Sequence, residues 1–264
     1  MDKDKLQGMD KTGYCLLPNF YTPDELTELH EILRIFHHNW IADNRDFYQQ
    51  RAINSAYLTG KKYLQSAQRK RLFDFLASHK LMEIVTAILA NDVCFMNTQL
   101  FFDPVQNEQK NYWHRDPQYH LTLQQQQEAL TGPRVMHVRI PLVKEHGLEL
   151  VPGSHRQWDT QEELQVRLEQ EGHKNHEDLS SGLAVPLNVG DVLVFNANMI
   201  HRGLYGNDRL ALDILFCDPI PELLQFVDES CLPEDGFLNI LDNGKAFSNT
   251  LKIKASINQQ QNGH

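Results

Sequence analysis

The run Asn111-Tyr112-Trp113-His114-Arg115-Asp116-Pro117 holds an H-x-D pair, His114 and Asp116. At the end of a strand, positions i and i+2 put both side chains on one face. A neutral imidazole beside a carboxylate supplies two thirds of a 2-His-1-carboxylate metal site. The missing ligand must be a histidine carried in from elsewhere in the chain.

Downstream the sequence is rich in short apolar runs broken by turn signals. Val135 to Val143 reads as a clean strand, and Gly147 to Val151 as a shorter one ending at Pro152-Gly153-Ser154-His155. Leu183 to Leu187 and Asp191 to Phe195 flank the turn Asn188-Val189-Gly190, and Leu210 to Phe216 is a last strong strand. Gln124 to Gln127 and the charged run Thr160 to Gln170 read as insertions, the second helical. Many short strands with turns between them predict a sandwich or barrel. Within it, Met199-Ile200-His201 follows the strand that starts at Gly190-Asp191, which makes His201 the candidate third ligand. Arg209 follows at the head of the last strand.

Upstream, Val93 to Phe102 is a further strand, ending in a turn at Asp103-Pro104. Before it the pattern is one of packing. Gly13 to Phe20 reads as a short strand. Thr22-Pro23-Asp24-Glu25 is a helix start with an N-cap, a proline in the first turn and a glutamate three residues after the cap. Leu26, Leu29, Leu33 and Phe36 then share one helical face. Gln65 to Ala77 and Lys80 to Ala90 read as two more helices, the second capped by Ser78, while 41–63 gives no clear pattern. The polar end, Asn258 to His264, reads as frayed.

Composition narrows the function classes. With 264 residues and 41% apolar content the chain can bury a large core, and it shows no repeat or linker. One domain is therefore expected: a mostly helical part over 1–92, a β core over 93–218 and an extension over 219–264. The formal charge of −10, from 25 basic and 35 acidic residues, argues against a nucleic-acid binder. Cys15, Cys94, Cys217 and Cys231 have no C-x-x-C spacing, which fits a reducing, cytoplasmic setting. Met1 to Lys5 has no apolar run, so no signal peptide is expected. The most apolar segment, Leu81 to Met96, is broken by Glu83 and Asp92, so no membrane span is expected either.

Four features stand in one order: H-x-D, then Leu150-Val151-Pro152-Gly153-Ser154-His155, then Gly190-Asp191-Val192-Leu193-Val194-Phe195 running to His201, then Arg209. With Gly13-Tyr14-Cys15-Leu16-Leu17-Pro18-Asn19-Phe20 ahead of a Pro-Asp-Glu-Leu helix start, this set resembles the phytanoyl-CoA dioxygenase-like enzymes over roughly residues 10–218. The resemblance implies a jelly-roll (double-stranded β-helix, cupin-like) core behind N-terminal helices, an α+β fold that is mainly β. It implies Fe(II) held by His114, Asp116 and His201, and 2-oxoglutarate held through Arg209. Three ligands on one face leave three positions, two for the keto acid and one for O2. The arginine fork suits a carboxylate as lysine does not. Such an enzyme would hydroxylate a small molecule, releasing succinate and CO2. Asp116 stands where related halogenases carry a small residue, which favours hydroxylation over halogenation.

The sequence departs from that pattern in places. His201 and Arg209 are closer together than the family usually has them. Gly203 stands where a hydroxyl residue often helps to bind the keto acid. Asn97, Thr98 and Gln99 stand where a lysine often does, and Gln99 is assigned to the co-substrate. Tyr119 and His120 are assigned to the substrate cavity. Arg139, alternating with Val138 and Ile140, is expected to point into the barrel and meet Glu149 or an anionic substrate group. Two rival readings remain open: a metal-holding jelly-roll module without turnover, and a cupin-type metalloenzyme that uses no 2-oxoglutarate.

Overall fold

The computed structural model describes residues 8–262, with side chains through 259; the residues read above for a signal peptide lie outside that range. Among the described residues nine strands form two antiparallel sheets. They are β1 (Tyr14–Leu17), β2 (Asn54–Ala56), β3 (Cys94–Phe102), β4 (Val135–Pro141), β5 (Glu145–Leu150), β6 (Leu183–Leu187), β7 (Val192–Asn196), β8 (His201–Gly203) and β9 (Leu210–Cys217). The larger sheet has the order β1-β7-β4-β9-β3-β2 and the smaller one β6-β5-β8. The fold is the expected jelly roll with helices at one face.

The helical layer follows from local signals. Helix α1 (Pro23–Asp43) starts in a full capping box: Thr22 accepts from the Glu25 backbone N–H, and the Glu25 carboxylate accepts from the Thr22 backbone N–H at 2.7 Å. Its buried face is Leu26, Leu29, Ile32, Leu33, Phe36 and Trp40. Helices α2 (Ser66–Leu76) and α3 (His79–Leu89) sit where expected, and the Ser78 side chain caps α3. The unread stretch 41–63 holds the end of α1, a short helix (Arg45–Gln50) and the edge strand β2. Helix α4 (Leu123–Ala129) and helix α5 (Gln161–Arg167) are the two insertions.

The end of the chain corrects the sequence reading. Residues 258–262 are not frayed: they finish α6 (Lys245–Asn262), an 18-residue helix that packs on β3. The Thr250 hydroxyl donates to the Phe95 carbonyl at 2.8 Å, and the Phe247 ring lies 4.7 Å from that of Phe95. Polar composition hid a helix that buries Ala246, Phe247 and Thr250. None of the described helices is long and apolar enough to cross a membrane.

Strand alternation separates the two faces of the large sheet. Met136, Val138 and Ile140 of β4, with Leu212, Ile214 and Phe216 of β9, pack against the helices in one apolar core. The intervening residues point the other way, into the barrel. There Leu193 and Phe195 meet Leu148, Leu150, Val185 and Leu187 of the small sheet. His137, Arg139 and Asp213 share this inner face and are buried, at 3%, 1% and 1% exposure. The inner face thus carries an apolar cluster and a row of buried charged groups side by side, His137 opposite Phe195 and Arg139 opposite Leu193.

Candidate metal and co-substrate site

His114 and His201, 87 positions apart in sequence, are joined by an antiparallel bridge. His114 N–H donates to His201 O and His201 N–H to His114 O, both at 2.9 Å. Cross-strand partners in such a bridge present their side chains together, and the two rings lie 4.2 Å apart. The H-x-D pair is not a continuous strand, contrary to the simplest sequence reading. His114 makes the bridge, and Asp116 begins a 3-10 turn, Asp116–Tyr119, with Pro117 behind it. The backbone N–H of Asp116 donates to Ala197 O at 3.2 Å, so the turn is tied to the segment leading to His201.

One ligand atom each from His114, Asp116 and His201 lies within 4.8 Å of the others. Asp116 Oδ1 is 3.6 Å from His114 Nε2 and 3.5 Å from His201 Nε2. The other ring nitrogens face backbone carbonyls: His114 Nδ1 is 3.1 Å from Tyr112 O, and His201 Nδ1 is 3.0 Å from Met199 O. A carbonyl only accepts, so Nδ1 carries the proton in both rings and, in a neutral ring, Nε2 offers its lone pair to the centre. Both rings are held neutral. Burial lowers the pKa of His114, and burial with the neighbouring His114 takes that of His201 down to about 3. Burial alone would raise the Asp116 pKa, but the surrounding histidines, His137 first, hold it well below the carboxylate range. Two lone pairs and an anionic oxygen converging on one point repel one another, and a cation between them removes that conflict. The donor set therefore fits a divalent metal with nitrogen and oxygen preference.

His137 is the residue that sequence reasoning missed. Its Nε2 is 2.6 Å from Asp116 Oδ2 and its Nδ1 3.1 Å from Asp213 Oδ1. Burial opposes its charge, but the Asp213 and Asp116 carboxylates outweigh burial and push its pKa up to about 10. A polar residue alternating with apolar ones in a core strand was the available signal, the same one that marked Arg139.

Arg139 does point into the barrel, but its partner is not Glu149. Its Nε and Nη2 grip both oxygens of Glu145, at 2.8 and 2.9 Å, and Nη1 lies 3.9 Å from Asp213 Oδ2. Glu149 is instead bonded to Arg202, whose guanidinium also bonds Asp178 and lies over the Trp113 ring. The β5 strand bulges between Glu145 and Leu148, and that shift brings Glu145 to the inside.

Arg209 is 3% exposed. Its Nε is 3.3 Å from Glu145 Oε2 without an aligned hydrogen bond, and its guanidinium lies over the Phe101 and Tyr205 rings. Burial and the Arg139 cation pull its pKa down to about 10, so it stays charged at neutrality. The short loop from His201 still delivers it. Asp103 accepts from Gly206 N–H at 2.8 Å and from Arg209 N–H at 3.0 Å, while Asn207 and Asp208 turn in left-handed conformations. Gly203 has a reason as well: a Cβ there would stand 2.7 Å from both terminal guanidinium nitrogens of Arg209. Gln99 stands opposite Asp213 in the β3–β9 register, on the inner face.

The mouth is lined with aromatic groups. The Tyr112 and Tyr119 rings lie 5.2 and 5.7 Å from that of His114, and the Tyr119 hydroxyl donates to that of Tyr112 at 2.8 Å. His120 is exposed and packs 5.2 Å from Phe226. Arg115, between the two candidate ligands, is a buried tether: it bonds Asp159 at 2.7 Å and the carbonyls of Ser154, Asn198 and Gln157. His155 belongs to structure, its ring packed over Gly13, where a Cβ would meet Nδ1 at 2.5 Å.

Comparison with known proteins agrees with this architecture. The family model for phytanoyl-CoA dioxygenase (PhyH) matches residues 9–205. No curated protein sequence matches the chain. Among solved structures, EctD from S. alaskensis in its apoform aligns with a TM-score of 0.59 at 19% identity, covering 83% of this chain and 78% of that one. AviO1 from Streptomyces viridochromogenes Tue57 aligns with a TM-score of 0.55 at 20% identity, covering 82% of this chain and 94% of that one. EctD has also been solved with bound Fe, and with 2-oxoglutarate and 5-hydroxyectoine. At these identities the structures speak for the fold; the family model covers three quarters of the sequence. The chain belongs to the phytanoyl-CoA dioxygenase family of iron- and 2-oxoglutarate-dependent oxygenases.

Proposed function

We propose that this protein is a hydroxylase of a small molecule, with Fe(II) held by His114, Asp116 and His201 and 2-oxoglutarate held through Arg209, in one catalytic domain. The observation that carries the reading is the convergence of His114 Nε2, His201 Nε2 and Asp116 Oδ1 on one point, beside a buried arginine. Iron in such a site supplies the O2-dependent decarboxylation of the keto acid to succinate and CO2 and the transfer of an oxygen atom to a C–H bond.

The chain's own residues do the rest. The backbone carbonyls of Tyr112 and Met199 fix both imidazoles in the ligand tautomer. Arg209 offers the terminal nitrogens of its fork to a distal carboxylate, supported from below by the bare backbone of Gly203. Arg139 takes both oxygens of Glu145 in aligned hydrogen bonds, while Arg209 Nε makes none. Arg209 is thus the arginine left to meet an anionic co-substrate. Tyr112 and Tyr119 form the substrate side of the mouth, and the apolar cluster around Phe195 helps to keep bulk water from the reacting centre.

The test is succinate formation by purified protein supplied with Fe(II), O2 and 2-oxoglutarate, with calorimetry of 2-oxoglutarate binding alongside. Slow succinate release without substrate, enhanced by the right small molecule, is the expected result. Metal-loaded protein that binds no 2-oxoglutarate would sink the proposal.

A further inference from the structure

We infer that His137 is a positioning residue which decides how Asp116 meets the metal. The inference rests on the proposed metal site and goes beyond its three ligands. The two oxygens of Asp116 have different fates. Oδ1 faces both imidazole Nε2 atoms, at 3.6 and 3.5 Å. Oδ2 is held by His137 Nε2 at 2.6 Å. With Oδ2 engaged, the carboxylate presents a single oxygen to the centre. A carboxylate that swung to present both would occupy one more coordination position, and the keto acid needs two of those that remain.

His137 is itself fixed from three directions. Its Nδ1 bonds Asp213 at 3.1 Å. Its ring stacks on Phe195 at 4.5 Å and an interplanar angle of 9°. Its backbone is in the middle of the large sheet, paired with both β7 and β9. Asp213 is anchored in turn by Arg139, and Arg139 by Glu145, which lies against Arg209. A single line of buried side chains thus runs from the carboxylate ligand to the co-substrate arginine. Hydrogen-bonded partners of a metal ligand typically govern affinity about 10–100-fold. A rigid ring locked at both nitrogens holds the carboxylate in one orientation.

The test is titration of metal-free protein with Co(II), followed by its visible absorption and needing no turnover. His137→Phe keeps the stacking ring and loses both hydrogen bonds; it should weaken Co(II) binding about 10–100-fold and alter the absorption bands as the carboxylate turns. His137→Gln, whose amide can still donate to Oδ2, should recover most of the affinity and the wild-type spectrum. Asp213→Asn should give a smaller weakening of several-fold. A folded His137→Phe protein with wild-type affinity and spectrum overturns the inference, as does His137→Gln behaving no better than His137→Phe. If His137→Phe does not fold, Asp213→Asn and His137→Gln decide, and wild-type affinity and spectra in Asp213→Asn overturn it. Wild-type protein that takes up no Co(II) at all overturns the metal site itself, and is a distinct result.

Discussion

The two faces of the large sheet are made from the same strands and obey opposite rules. On β4, Val138 and Ile140 face the helices, while His137 and Arg139 face the barrel. The helix side is held by shape. Its contacts are apolar and non-directional, and each is replaceable by a side chain of similar volume. The barrel side is held by partners: every one of its charged groups on β4 and β9 is bonded to another, and losing one leaves a buried charge uncompensated. Two histidines show the contrast. His37, on α1, lies between the Tyr48 and Phe102 rings with a buried Nδ1 that has no hydrogen-bond partner. His137 is bonded at both nitrogens. The first behaves as a small aromatic, the second as a hinge pin of the site.

The comparison can be broken from either side. Asp116→Ala removes the charged ligand. 2-Oxoglutarate consumption should fall by more than the about 100-fold upper bound for removing a mere supporting partner; a small loss would mean the metal lies elsewhere. Phe216→Ala, on the helix face against Phe95, should cost about 3–5 kcal/mol in denaturant unfolding. It should leave Co(II) affinity unchanged, because Phe216 lies in the apolar core on the face opposite His137 and Asp213.

Arg209→Ala should raise the KM for 2-oxoglutarate about 10–100-fold, the equivalent of a charged hydrogen bond of about 1.5–3 kcal/mol. Gly203→Ala should do the same more weakly, since its new Cβ meets the Arg209 guanidinium. A KM unchanged in both would place the co-substrate on other residues. The smallest effect is on pH. Burial lowers the His37 pKa from 6.5 to about 4. Below 6.5 the unfolded chain takes up a proton there that the native state refuses until about 4, so stability falls as pH drops through that window. His37→Phe should remove this part of the acid sensitivity, read as a smaller difference between urea midpoints at neutral and mildly acidic pH.

Much of this was legible from sequence because it is encoded locally. Thr22 and Glu25 announce their helix within four residues, and Ser78 caps α3. H-x-D and the distant His201 were recognisable as an ordered set, and the jelly roll followed. What was misread depended on register. Glu149 was the plausible partner for Arg139 by strand order, but the bulge in β5 brings Glu145 inward and leaves Glu149 to Arg202. The polar helix α6 gave no strong periodic signal, and only its packing on β3 defines it.

The sequence by itself determined which residue types could hold a metal and a carboxylate, and the alternation that sends half of each strand inward. The tertiary structure alone decided which oxygen of Asp116 faces the centre, that His137 holds the other, and that Arg139 and Arg209 share Glu145. The reason is physical. Periodicity fixes the face a side chain occupies, but a hydrogen bond needs its partner within about 3 Å. Only the register of strands distant in sequence brings one that close.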